Sequence, residues 1–288
     1  MWRATGLQRV RGRPCASTSG AASFVKTAVG TMWTAICFEQ ADLHVKRASA
    51  AALTSACCYK IHSKRKLTLK FDAVLFDCDG VLVDSEPITN GVLRDMLEEL
   101  GWKLTQAECM RIFVGKAVKD ERALIEAHTG QPFSEDWMAR FRERRNAGLM
   151  HGVTAIPGAV DAVANIHALY GGRMACASGA DRFKVELQLQ KCGLMSYFEG
   201  RIFSGHEMPR SKPAPDVYLA AAAALGVDPK RCAVVEDTIT GVTAGVAAGA
   251  TVFGYSPPEA GHDTPAALQQ AGAETIFTDM RELAALLG

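Results

Sequence analysis

The chain has 288 residues, 48% of them hydrophobic and 22% charged, with a formal net charge of +1. That length suits one large domain or two modest ones, each with a proper core, and excludes a disulfide-stapled miniprotein. The hydrophobic content excludes a chain that stays unfolded, and no run reaches the roughly 18 consecutive apolar residues of a membrane-spanning helix.

The near-neutral average hides a division. Residues 1–70 carry twelve Lys and Arg against Glu39 and Asp42, a charge of +10, and the remaining 20 basic and 29 acidic side chains leave −9. A negative main body has no general attraction to nucleic acid. In the first segment Arg3, Arg9, Arg11 and Arg13 alternate with small and hydroxylated residues, the composition of an organelle transit peptide. A basic N-terminal extension without structural consequence is the other reading, because the segment shows no sustained period of 2 or 3.6. The expected location is cytoplasmic, or an organelle if this segment is a leader. The nine cysteines lack the paired spacing of a zinc site, which points to reduced thiols.

From residue 71 the texture changes. FDAVLF (71–76) is a short run of strand formers ending in DCDG, and similar apolar runs at 172–179, 200–205, 231–238, 250–255 and 274–279 end in polar residues or Gly. Between them, 158–170, 181–192, 214–225 and 238–248 space apolar residues by three and four, with Asp181 and Asp216 at cap or first-turn positions. Alternating strand and helix predicts an α/β fold: a doubly wound, Rossmann-like parallel sheet with helices on both faces. Residues 86–151 break the rhythm. Val92, Met96, Leu97 and Leu100 open a mostly helical stretch, so a small α-helical domain is expected to be inserted into a core formed by 71–85 and 152–288. Residues 84–87 and 151–157 are the expected hinges. Within the insertion, the run Arg140, Arg142, Arg144 and Arg145 reads as a solvated helix face.

In an open parallel sheet the reactive groups gather at the strand ends, and here those ends are polar. The i, i+2 spacing of Asp77 and Asp79 sends both carboxylates to one side and Cys78 away from them. Two acids this close repel, which a bound cation or a division into nucleophile and acid would explain; a turn with capping aspartates is the alternative. Ser178 and the amides near Gly179 precede a helix and suit phosphate oxygens, or Ser178 merely caps that helix. Pro213 and Pro215 stiffen the backbone after Lys212 at a helix start, placing an ammonium that could offset phosphoryl charge; a solvated surface Lys is the ordinary reading. Glu236 and Asp237 follow a strand too apolar for the surface. With Asp77 and Asp79 they offer hard oxygen ligands, a set that selects Mg²⁺ over zinc or copper.

DCDGVLVDSE, ASGA, SKPAPDVY and VVEDTITGV resemble, in order, the four motifs of the haloacid dehalogenase-like hydrolase superfamily, in the branch with a helical cap between motifs one and two. The resemblance covers residues 71–288. It implies that Asp77 attacks a phosphoryl group to form an aspartyl-phosphate, and that Asp79 protonates the leaving oxygen and then activates water. It also implies that Asp77, the backbone carbonyl of Asp79, and Asp237 hold Mg²⁺ with Glu236 assisting, and that Ser178, Gly179 and Lys212 bind the transferred phosphoryl oxygens. Asp79 stands against dehalogenation, because the dehalogenases of the superfamily lack this second acid. The β-phosphoglucomutase branch is similar in its first motif but usually places a His where this chain has Thr89.

The expected function is a Mg²⁺-dependent phosphatase acting on a small phosphomonoester, a sugar or sugar-acid phosphate, as in 6-phosphogluconate phosphatases. A β-phosphoglucomutase-like phosphomutase and a non-catalytic binding protein of the same fold are the alternatives. In the cap, the loop FVGKAVKDE makes Lys116 the expected substrate contact, whereas His206 reads as a solvated loop histidine. The expected partner is a small phosphorylated metabolite, with neither nucleic acid nor membrane, and the chain is expected to be a monomer or weak dimer.

Overall fold

A computed structural model describes residues 69–258 and 263–288. The basic segment discussed above, apart from Leu69 and Lys70, lies outside the described residues, and with it the transit-peptide reading. The strands are β1 (Ala73–Phe76), β2 (Val83–Asp84), β3 (Thr154–Ala155), β4 (Met174–Ser178), β5 (Ile202–Ser204), β6 (Cys232–Glu236), β7 (Thr251–Tyr255) and β8 (Thr275–Phe277). The helices are α1 (Glu86–Glu99), α2 (Gln106–Phe113), α3 (Arg122–Thr129), α4 (Glu135–Gly152), α5 (Ala159–Leu169), α6 (Arg182–Lys191), α7 (Met195–Phe198), α8 (Asp216–Leu225), α9 (Ile239–Ala247), α10 (Pro265–Gln270) and α11 (Leu283–Leu287).

Six strands form one sheet in the order β5-β4-β1-β6-β7-β8, and every pairing in it is parallel. All six are the runs legible in the sequence. Each is too apolar for a half-exposed strand, and the reason is visible at β1, whose four residues are all buried. Val74 and Phe76 enter one core with residues of α5, α6, α7 and α11, while Ala73 and Leu75 enter another with α8, α9 and α10. The period of two therefore distributes one strand between two helical layers, which is the doubly wound arrangement.

Chain order reverses across β1, with β4 on one side and β6 on the other. Such a switch point opens a crevice at the carboxyl ends of the strands. Capping fixes how the following helices leave it. Asp181 accepts from the Lys184 amide at the start of α6, and Thr238 accepts from the Gly241 amide at the start of α9.

The stretch between β2 and β3 is helical and carries a core of its own. Leu93, Met96 and Leu97 of α1 pack with Cys109 and Phe113 of α2, Ile125 of α3, and Trp137, Met138 and Phe141 of α4. The two connections are more regular than plain linkers: β2 and β3 pair antiparallel, Val83 with Ala155 and Asp84 with Thr154. The arginine run needs correction. Arg140 and Arg144 are exposed, but Arg145 is buried and Arg142 half-buried, because the solvated face of α4 turns inward toward α6 at these two positions. The five cysteines among the described residues are free thiols, and no described helix is long and apolar enough to cross a membrane.

Candidate active site

The backbone places four polar segments around one opening. Asp77 continues β1, its amide donating to the Val235 carbonyl of β6 at 3.0 Å, so its side chain leaves the sheet beside those of Glu236 and Asp237. Ser178 ends β4, and Lys212 arrives on the loop before α8. All of them, with Asp79 and Gly179, line a cavity of about 350 Å³ whose other wall comes from α1, α4 and the loop after α2.

At its floor the charges are paired in a chain. Lys212 Nζ lies 2.6 Å from Asp77 Oδ1 and 2.6 Å from Glu236 Oε1, and 4.9 Å from the centroid of the Tyr218 ring. The Tyr218 hydroxyl donates to the same Glu236 oxygen at 2.7 Å. Glu236 Oε2 accepts from the amides of Asp237 and Thr238 and from the Thr238 hydroxyl. Burial pushes the Asp77 carboxyl well above the usual carboxylate range, with the Glu236, Asp237 and Asp79 charges adding to it and Lys212 opposing. Burial, and then Glu236, push Asp237 up in the same way. Burial also works against charge on Lys212, but Asp77 and Glu236 outweigh it and hold that ammonium well above its ordinary value.

One ligand atom from each of Asp77, Glu236 and Asp237 lies within 4.8 Å of the others, and all three residues are buried. Their donors are hard oxygens, and a divalent cation would offset the repulsion that raises two of them. Room for this cluster depends on missing side chains. A Cβ on Gly80, whose φ is +77°, would stand 2.1 Å from Asp237 Oδ2, and one on Gly241 would stand 1.8 Å from Glu236 Oε1. The residues present thus fit a small hard cation.

Asp79 lies outside that trio and has a different environment. Its Oδ1 accepts from the Ser85 hydroxyl, from Gln188 Nε2 at 2.9 Å and from Lys184 Nζ at 2.9 Å. Burial would raise its carboxyl, but the Lys184 charge and the hydrogen bonds of Ser85, Lys184 and Gln188 outweigh burial and hold it below the ordinary carboxylate value. Cys78, between the two aspartates, faces away into the core.

These motifs decide the kinship. The chain matches the haloacid dehalogenase-like hydrolase family over residues 71–249. It belongs to that family. The hydrolase is similar to the chloroplastic protein Suppressor of quenching 1 of Arabidopsis thaliana, 32% identical over 62% of this chain but only 17% of that protein. It is 28% identical to 6-phosphogluconate phosphatase of Escherichia coli K12 over 74% of this chain and 93% of the relative. Among solved structures, a HAD family hydrolase of Deinococcus radiodurans R1 with bound phosphate and sodium is 37% identical, covers 76% of this chain and 98% of its own, and superposes with a TM-score of 0.62.

Several residues that line the hydrolase's cavity or support its acids escape a reading by motif. Lys184 and Gln188 stand on α6, outside the motifs, and only the turn of that helix brings them to Asp79. Tyr218 closes the SKPAPDVY string, but its contact with Glu236 is a tertiary event. Lys116 lines the cavity and also stands 3.7 Å from Glu121. The expectation of a solvated His206 needs correction. It is half-buried on the short turn Gly205–Glu207 after β5 and lines the cavity together with residues of the helical insertion. Thr89 lines the cavity too, and its Oγ1 is buried without a hydrogen-bond partner among the described residues.

Proposed function

We propose that this hydrolase is a Mg²⁺-dependent phosphatase that cleaves a small sugar or sugar-acid phosphate through an aspartyl-phosphate. The observation that carries the reading is the buried grouping of Asp77, Glu236 and Asp237 around Lys212 at the end of the central strand. Asp77 is the nucleophile, and Lys212 offsets charge on the phosphoryl oxygens as it transfers. The hydroxyl of Ser178 and the amides at Gly179, ahead of the α6 N-terminus, bind those oxygens. Asp77, Asp237 and the backbone carbonyl of Asp79 would hold Mg²⁺, with Glu236 assisting; the metal would supply charge neutralisation at the phosphoryl group.

Asp79 protonates the leaving oxygen in the first half-reaction and takes a proton from water in the second. The Lys184, Ser85 and Gln188 contacts favour the ionised form that the second half needs, and the first half needs the same carboxyl protonated when the substrate is bound. The helical segment 86–151 acts as a cap that excludes bulk water, moving on the paired connections β2 and β3, with Lys116 touching the substrate. The name of the Escherichia coli relative supports a phosphorylated sugar acid as one substrate of this class, and Thr89 at the mutase histidine position supports hydrolysis over phosphomutase chemistry.

Phosphate release from p-nitrophenyl phosphate tests the proposal. The wild type should turn over with Mg²⁺ and lose activity on chelation, and Asp77→Asn should fall by about a thousandfold or more. Equal, metal-independent rates in the two proteins would overturn it.

A further inference from the structure

Charge pairing within the cavity is uneven. Of the Lys and Arg residues that line it, Lys212, Lys184 and Arg145 each lie within 3 Å of a carboxylate, and Lys116 lies 3.7 Å from Glu121. Lys119 and Arg142 also line it, both half-buried, and neither makes an ion pair or side-chain hydrogen bond among the described residues. They come from separate elements, the turn Val118–Glu121 and α4.

A third group of the same lining, His206, feels both charges. His206 reaches the same wall from the core side, and its imidazole is held below its ordinary value by burial, then by the Lys119 charge, with Arg142 adding and the Asp181 and Asp120 carboxylates opposing. Asp181 already serves Arg145, and Asp120 is exposed. Two half-buried cations without counter-ions, beside a half-buried imidazole, leave positive potential on the cap-side wall. Lys212, Lys184 and Arg145, by contrast, are each engaged by carboxylates of the cavity: Asp77 and Glu236, Asp79, and Asp181.

Resting on the phosphatase reading above, we propose that Arg142 and Lys119, with His206, form a subsite for a second anionic group, so that the preferred substrates are phosphomonoesters carrying a carboxylate at the end remote from the phosphate. Arg142 offers a planar fork that a carboxylate matches with two parallel hydrogen bonds, and Lys119 adds a point charge. A neutral polyol tail would leave both cations uncompensated when the cavity closes on it. Discrimination therefore comes from the cost of desolvating the cations as well as from the new contacts.

The test uses two compounds with one carbon skeleton, 6-phosphogluconate and glucose 6-phosphate, as competitors of p-nitrophenyl phosphate hydrolysis. The wild type should be inhibited by the acid at about tenfold lower concentration, and Arg142→Gln and Lys119→Gln should each bring the ratio of inhibition constants toward one. Arg142→Lys, which keeps the charge and loses the fork, should fall between. Unchanged circular dichroism and melting in these variants would assign the effect to the subsite. Equal inhibition by the two compounds in the wild type, or an unchanged ratio in Arg142→Gln, would overturn the subsite while p-nitrophenyl phosphate is still turned over. No turnover of p-nitrophenyl phosphate by the wild type would overturn the phosphatase reading and the subsite together.

Discussion

Arg145 of α4 donates to Asp181 Oδ2 across 2.9 Å, tying the helical insertion to the residue that caps α6. One turn into the same helix, Lys184 holds Asp79. The helical insertion, α6 and the second aspartate are thus joined through two ion pairs whose α6-side members, Asp181 and Lys184, stand three residues apart.

Breaking the first of them should be costly. The side chains of Arg145 and Asp181 are 8% and 21% exposed, so removal of the guanidinium strands a mostly desolvated carboxylate. Arg145→Ala should lose about 2 to 4 kcal/mol in urea unfolding, the lower part of the range for a buried pair because Asp181 keeps some water. A loss below half a kcal/mol would show that the pair contributes no more than an exposed one.

The same pair predicts a pH dependence. Burial would raise the Asp181 carboxyl, but the Arg145 charge, the Lys184 amide and the Arg145 hydrogen bond outweigh it and hold it below the ordinary carboxylate value. A depressed folded pKa stabilises above the unfolded pKa and loses that contribution as pH falls through the folded value. The stability gap between wild type and Asp181→Asn should therefore be full at neutral pH, begin to close as the pH falls to the unfolded value of about 4, and shrink further below it. Chemical denaturation across that window measures it, and a gap independent of pH would contradict the assignment.

Gly241 should tolerate no side chain. A Cβ there would meet all three terminal atoms of the Glu236 carboxyl within 2.2 Å, and that carboxyl is fixed by Lys212, Tyr218 and the amides that follow it. Gly241→Ala should cost about 1 to 3 kcal/mol through displacement of a packed group, despite the gain in helix propensity at an α9 position. Thermal melting reads the sign directly.

Mg²⁺ should stabilise the protein as well as activate it. Burial and mutual repulsion raise both Asp77 and Asp237, so a cation that binds the folded cluster shifts unfolding upward. At a hundredfold excess over its dissociation constant the gain is about 2.7 kcal/mol, or roughly 5 to 10 °C in melting temperature for a domain of this size. Asp237→Asn should abolish most of the shift; an equal shift in that variant would place the cation elsewhere.

Much of the site could be read from the chain because its chemistry is carried by residues next to strand ends. Asp77, Ser178 and Glu236 each sit where a short apolar run stops, and a parallel sheet brings such stops to one edge whatever the details of packing; Lys212 follows on the loop between β5 and α8. Arg142, Arg145, Lys184 and His206 are of another kind. They lie within charged or loop segments whose spacing is equally compatible with water, and their burial depends on how α4 and the turn after β5 meet α6. The sequence alone determined the alternation of strand and helix, the helical insertion and the acids, serine and lysine of the edge, because periodicity and composition are local properties. Which cations are neutralised and which are left facing the cavity was decided only in three dimensions, since a charge pair depends on distances between elements that are remote along the chain.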